Sequence, residues 1–207
     1  LALEDPLAKW VPEFPNPEQA ARISLAQLVN HTSGLSDYVA ADLERWERTG
    51  EPLRSGFVFR YLRGRPLDFE PGSHWSYTNS GFYLAALVIE RASGVTWFDY
   101  IKRAVLEPLG LHNIELCDDV VERAAAGYER TEAGFSRSPL YLEAGIRGDG
   151  GLCASALDLA RFPGRLECGS VLSREGLALL HAQTRLTTGL SVDYGLGTRL
   201  GTLQGRR

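Results

Sequence analysis

Residues 66–94 read PLDFEPGSHWSYTNSGFYLAALVIERASG. A short apolar and aromatic segment comes first, and Pro71-Gly72 then turns the chain sharply. Beyond the turn the sequence presents hydroxyl-bearing and aromatic residues and launches an almost uninterrupted apolar run, Leu84, Ala85, Ala86, Leu87 and Val88. A run this apolar predicts a helix covered on most sides, not one laid on a surface. Asn79 or Ser80 is placed to cap its free N–H groups, and Gly94 to end it. Tyr77 and Asn79 then sit two residues apart at the helix mouth, where backbone donors and the positive end of the helix dipole converge. Any chemistry belongs at that junction.

The string FEPGSHWSYTNSGFYLAALVIERASG, preceded by LVNHTSGL and followed by FDYIKRAVLEPLGLHN, resembles the serine beta-lactamase-related superfamily. That superfamily holds class C beta-lactamases, penicillin-binding D,D-peptidases and esterases of the same fold. With eight tyrosines in the chain a Tyr-x-Asn alone carries little weight. The order of segments around Tyr77-Thr78-Asn79 makes the match specific, and it extends over essentially all 207 residues. The resemblance implies an α+β, beta-lactamase/transpeptidase-like fold, here mainly the helical lobe. It also implies catalytic roles for Tyr77 and Asn79, no cofactor, and a small-molecule ester, lactam or peptide as substrate.

Composition bounds the case independently. With 44% hydrophobic and 23% charged residues the chain reads as globular and able to bury a substantial core, normally as one domain or two small ones. No run of eighteen apolar residues occurs, so no integral membrane segment is expected. A formal charge of −4 and scattered arginines give no steering toward nucleic acid. The three cysteines, Cys117, Cys153 and Cys168, match no zinc spacing. One disulfide is an open arrangement for them, and free buried thiols are the simpler expectation. The histidines, His31, His74, His112 and His181, are dispersed without an H-E-x-x-H pair, so no local motif supports a metal site.

Taken in order, the proline-rich opening through Pro17 reads as an extended surface segment anchored by Trp10 and Phe14. Ser24 starts a brief helix to Val29 with Gln27 completing a capping box, and His31 to Leu35 forms a turn. His31 reads either as a turn histidine bonded to backbone or as a hydrogen-bonding group behind a pocket. The first is the simpler reading. Helices are expected over Ser36–Arg48 and within Pro52–Gly64, and Thr96 caps another that runs to Leu106, with Lys102 on its solvent side. Asn113–Leu116 reads as a short strand, Val120–Ala126 as a short segment, and residues 131–147 as turn-rich. The Gly148–Gly151 cluster reads as a close-packed turn. A helix capped at Ser155 follows it, another opens at Ser173, and an extended segment over Tyr194–Leu200 is expected to enter a sheet.

Related enzymes attack a carbonyl with the serine of a Ser-x-x-Lys, whose lysine lies one helical turn away. Here the lysines, Lys9 and Lys102, follow Pro6 and Asp99 at that spacing, and no Lys-Thr-Gly or His-x-Gly occurs. Residues 1–207 are therefore expected to form the incomplete central portion of one hydrolase domain. Part of its sheet and both terminal catalytic segments would be absent, and missing terminal segments or a complementing chain would be needed for activity. By the resemblance, the complete enzyme works through a serine acyl-enzyme. An upstream lysine and Tyr77 handle the serine proton, and Asn79 holds the lysine and substrate polar groups. A nonenzymatic small-molecule or peptide-binding domain derived from the same fold is the alternative. No G-x-S-x-G supports an autonomous serine hydrolase, and Ser33 and Ser73 read as turn residues.

Overall fold

The long apolar run does form the central helix of the molecule. In the computed structural model, which describes residues 1–50, 56–137, 147–168 and 171–202, it spans Asn79–Ser93. In chain order the helices are α1 (Leu7–Trp10), α2 (Pro17–Arg22), α3 (Leu25–Val29), α4 (Val39–Thr49), α5 (Phe57–Leu62), α6 (Asn79–Ser93), α7 (Trp97–Ile101), α8 (Ala156–Cys168) and α9 (Arg174–Leu180). The strands are β1 (Ile114–Leu116), β2 (Tyr128–Thr131), β3 (Gly134–Arg137), β4 (Leu152–Ala154), β5 (Thr184–Arg185) and β6 (Ser191–Val192). Among the described residues these strands form only two-stranded antiparallel pairs, β1 with β4, β2 with β3 and β5 with β6. The fold is therefore α+β and dominated by helices.

The core explains why α6 is central. Leu84 and Val88 are buried together with Leu7, Val11, Phe14, Ile23, Leu28, Tyr38, Val58 and Leu62 from the helices and turns around it. Helix α3 lies so close that a Cβ at Gly81 would collide with the Leu28 carbonyl oxygen. Only glycine permits that approach of two backbones. A smaller apolar centre, Leu106, Leu109 and Leu111, lies beyond α7 and packs against Phe162 and Leu166 of α8.

The helix ends follow local chemistry. Ser24 and Gln27 make the expected capping box, and Thr96 and Ser173 cap α7 and α9 through their hydroxyls. Gly94 ends α6 in the left-handed conformation at φ 73°. The N-cap of α6 is neither Asn79 nor Ser80. Thr78 is extended, and its side chain accepts from the Ser80 N–H at 3.2 Å. Asn79 is thereby the first helical residue, and its side chain is released from capping.

Several other expectations change. The proline-rich opening is helical in α1 and α2, with Pro17 at the first turn, where its missing N–H costs nothing. The helix from Thr96 ends at Ile101 and continues to Leu106 as a wider π turn. The turn-rich region begins with the β2–β3 hairpin, exposed along both strands. Residues 138–146 and 51–55 lie outside the described structure, which describes the expected Pro52–Gly64 helix only from Phe57. No strand forms over Tyr194–Leu200; a single bridge joins Tyr194 to Arg199. The cysteines also depart from the free-thiol reading. Cys117 and Cys153 form a disulfide across β1 and β4, and Cys168 is free and exposed. The pairing of those two short strands, Glu115 opposite Cys153, brings together thiols 36 residues apart.

Candidate active site

The helix mouth is positioned by a backbone zipper. The segment before α6 runs along the His31–Leu35 turn, with Asp68 N–H donating to the Gly34 carbonyl, Gly72 N–H to Thr32 and Ser76 N–H to His31, at 2.8, 2.8 and 3.0 Å. Gly34 sits at φ 76°, and a Cβ there would overlap the Phe69 carbonyl oxygen, so the two segments touch backbone to backbone. Gly148 at φ 81° packs similarly over Ala86 of α6, as the glycine cluster suggested.

His31 pins this arrangement from below. It is fully buried and adopts φ 61°, the one positive φ outside glycine among the described residues. Its Nδ1 accepts from the Thr78 N–H at 3.3 Å, and its Nε2 lies 3.0 Å from the Tyr194 hydroxyl. An Nδ1 that accepts from a backbone N–H is unprotonated, so Nε2 carries the ring proton and donates to Tyr194. Burial pushes the imidazole down to about 4, against the pull of the Asp37 carboxylate. Tyr77, Phe82 and Tyr194 surround the ring at centroid distances of 4.5, 5.2 and 4.9 Å. Both readings of His31 therefore hold, since it bonds backbone and stands behind the candidate site.

Above it, Tyr77 is 55% exposed and Trp75 36% exposed. Their rings form one wall of an open groove of ≈ 520 Å³ whose other wall is Val192, Asp193, Tyr194 and Arg199. The far wall is docked onto the helix mouth by Thr187 N–H to the Gly72 carbonyl at 2.9 Å and Gly197 N–H to Val29 at 3.0 Å. The Tyr77 hydroxyl donates to Asn79 Oδ1 at 3.2 Å, and Asn79 Nδ2 donates to Asp37 Oδ2 at 3.0 Å. The two residues expected at the site are thus brought together and joined by one hydrogen bond.

Two carboxylates set the electrostatics. Burial raises the Tyr77 phenol above its ordinary value, and Asp37 and Asp149 raise it further. Tyr77 is therefore neutral near pH 7 within these residues, which excludes a standing phenolate here. Burial also lifts Asp149 to about 6, against a 2.5 Å hydrogen bond from the Tyr38 hydroxyl. Its other oxygen is buried and has no hydrogen-bond partner among the described residues. Ser33 and Ser73 are turn residues: Ser33 Oγ accepts from the Leu35 N–H, and Ser73 Oγ meets the neighbouring His74 ring. Among the described residues no group of three or more His, Cys, Asp or Glu side chains is arranged to hold a metal. In the same residues no helix is long and apolar enough to cross a membrane.

The sequence did not single out Asp37, Tyr38, Asp149 or Tyr194 as site residues. Asp149 had one available signal, an acidic residue inside a glycine turn. Asp37 read only as part of the helix expected over Ser36–Arg48, which begins at Val39 and leaves Asp37 outside it, and its partner lies 42 residues away.

The beta-lactamase family model matches residues 1–206. The chain belongs to the beta-lactamase family. It is 30% identical to penicillin-binding protein 4* of Bacillus subtilis over 95% of its own length and 46% of that protein. It is 29% identical to a D-aminopeptidase of Brucella anthropi, over 99% of this chain and 39% of that one. A penicillin-binding protein from Bacillus halodurans superposes with a TM-score of 0.77 at 29% identity, covering 99% of this chain and 63% of that structure. An octameric penicillin-binding protein homologue from Pyrococcus abyssi gives 0.74 at 27% identity, with 95% and 47% covered. The chain thus spans under half the length of the two relatives matched by sequence. Its family members are serine hydrolases of the beta-lactamase/transpeptidase superfamily, matched across several subfamilies and not within a single one.

Proposed function

We propose that the full-length protein is a serine hydrolase that cleaves an ester, lactam or D-amino-acid peptide bond through a serine acyl-enzyme. The observation that carries the reading is Tyr77, which is exposed on an open groove while its hydroxyl is hydrogen-bonded to Asn79 at the mouth of the buried helix. The similarity to penicillin-binding proteins and a D-aminopeptidase supports amide bonds next to D-amino acids as the first substrates to try. Tyr77, held neutral by burial and by Asp37 and Asp149, acts as a proton relay and not as a resting phenolate. Asn79 offers Oδ1 to a cationic partner of the nucleophile, and backbone donors stabilise the oxyanion.

In this reading residues 1–207 are the central portion of one domain and do not turn over substrate by themselves. Its nucleophile would come from a Ser-x-x-Lys, a spacing these residues do not contain. Intact mass spectrometry of the full gene product with a fluorophosphonate or penicillin probe should show a covalent serine adduct. Absence of both adduct and turnover across ester, lactam and D-amino-acid peptide panels would overturn the reading in favour of a binding function.

A further inference from the structure

Asp37 meets Asn79 on two sides. Its Oδ2 accepts from the side-chain Nδ2 at 3.0 Å, and its Oδ1 accepts from the Asn79 backbone N–H at 3.4 Å and the Val39 N–H at 3.2 Å. A carboxylate accepts and does not donate, so the NH₂ end of the Asn79 amide has to face Asp37. The carbonyl end then faces Tyr77, whose hydroxyl lies 3.2 Å from it and has to donate. We propose that Asp37 is a positioning residue that fixes the polarity of the Asn79 amide, so that position 79 presents an acceptor to Tyr77 and to the groove. The inference rests on the hydrolase reading for its catalytic consequence, but not for its geometry.

The consequence concerns where the Tyr77 proton sits. With the O–H committed to Asn79, the phenol oxygen turns its free lone pairs away from the amide, where they can accept a proton from a group in the groove. The same amide oxygen suits an ammonium or N–H group alongside and disfavours a carbonyl. If the amide were reversed, Nδ2 would donate to the phenol oxygen, occupy a lone pair and favour the phenolate.

Asp37→Asn tests this at constant shape. The two backbone N–H donors hold the carbonyl oxygen of the substituted side chain on their side, so its NH₂ group meets Asn79 and forces that amide to reverse. Asn79→Asp added to Asp37→Asn restores an acceptor, because the new carboxylate accepts from the amide now at position 37 and from Tyr77 and returns the lost charge. In the full-length protein, with folding checked by near-ultraviolet circular dichroism, Asp37→Asn should slow single-turnover acylation by at least about tenfold with little change in substrate affinity. The double variant should recover most of that loss, which a merely structural role would not produce.

A second readout needs no turnover. Spectroscopic titration of the Tyr77 phenol, isolated by subtracting a Tyr77→Phe background, should shift down in Asp37→Asn and return up in the double variant. Asp37→Ala removes the same charge, which by itself lowers the phenol, but forces no reversal of the amide, so the phenol should fall further in Asp37→Asn than in Asp37→Ala. Unchanged acylation and titration in Asp37→Asn would overturn the proposal, as would a double variant that recovers neither or a phenol that falls equally in Asp37→Asn and Asp37→Ala. If the unsubstituted protein forms no acyl adduct, the hydrolase reading fails while the titration series still decides the role of Asp37.

Discussion

The helix mouth and the hairpin periphery are built on opposite terms. At the mouth, buried polar side chains are answered, one Asp149 oxygen apart: His31 by Thr78 and Tyr194, Ser80 by the Ser36 carbonyl, and Ser33 by Leu35. In the β2–β3 hairpin every residue is exposed, with Phe135 at 78% and Tyr128 at 64%. Buried polar groups are expensive unless paired, so a region that retains so many in satisfied geometry is being held in one arrangement. The hairpin is not. What distinguishes a site from a scaffold edge in this molecule is therefore buried polarity with partners, not apolar content.

The contrast can be broken hardest at the α3–α6 contact. Gly81→Ala would drive a methyl into the Leu28 carbonyl, and the expected loss is about 4 kcal/mol. Equilibrium denaturation checks it, and a loss under about 1 kcal/mol would show that the two backbones separate freely. Removing the peripheral cross-link by Cys117→Ser with Cys153→Ser should cost about 3 kcal/mol, since it frees a closure of 36 residues. Hydrogen exchange should rise more in β1 and β4 than in α6, and the reverse pattern would deny the division between the two regions.

Acid dependence sharpens the comparison further. Asp149 titrates at about 6 in the folded chain and at 3.8 ordinarily. Folding therefore takes up a proton between those values, and the Asp149 contribution is lost as pH rises from about 4 to 6. His31 has the opposite sign, with about 4 folded against 6.5, so its contribution grows as pH rises through that window. Asp149→Asn removes the falling part and should steepen acid destabilisation between pH 4 and 6 by on the order of 2 kcal/mol. Denaturation midpoints at stepped pH values read it, and an unaltered slope would contradict the buried placement of Asp149. The smallest effect belongs to the hairpin, where Phe135→Ser should change stability by less than about 0.5 kcal/mol.

Much of this was legible in the sequence wherever the determinant is local. The Ser24–Gln27 capping box, the Thr96 and Ser173 caps, the Gly94 stop and the Gly148 turn each need only a few consecutive residues. Tyr77 and Asn79 were legible through their place in a motif. The Thr78 cap escaped because three adjacent polar residues all qualify and the choice depends on which one the zipper to His31 leaves extended. Asp37, Asp149 and Tyr194 escaped for a different reason. Their partners lie 42, 111 and 163 residues away, and no short-range pattern encodes such pairings. The disulfide escaped likewise, because it depends on the pairing of two three-residue strands.

The central claim is that the Tyr77 hydroxyl serves chemistry and not packing, and Tyr77→Phe in the full-length protein tests it most directly. Phenylalanine keeps the ring that packs at a tilt against His31 and deletes only the donor to Asn79. Single-turnover acylation of purified, folded protein should fall by about 10²- to 10⁴-fold, while stability changes by no more than about 0.5–1.5 kcal/mol. An unchanged acylation rate at unchanged substrate occupancy would remove Tyr77 from the catalytic assignment.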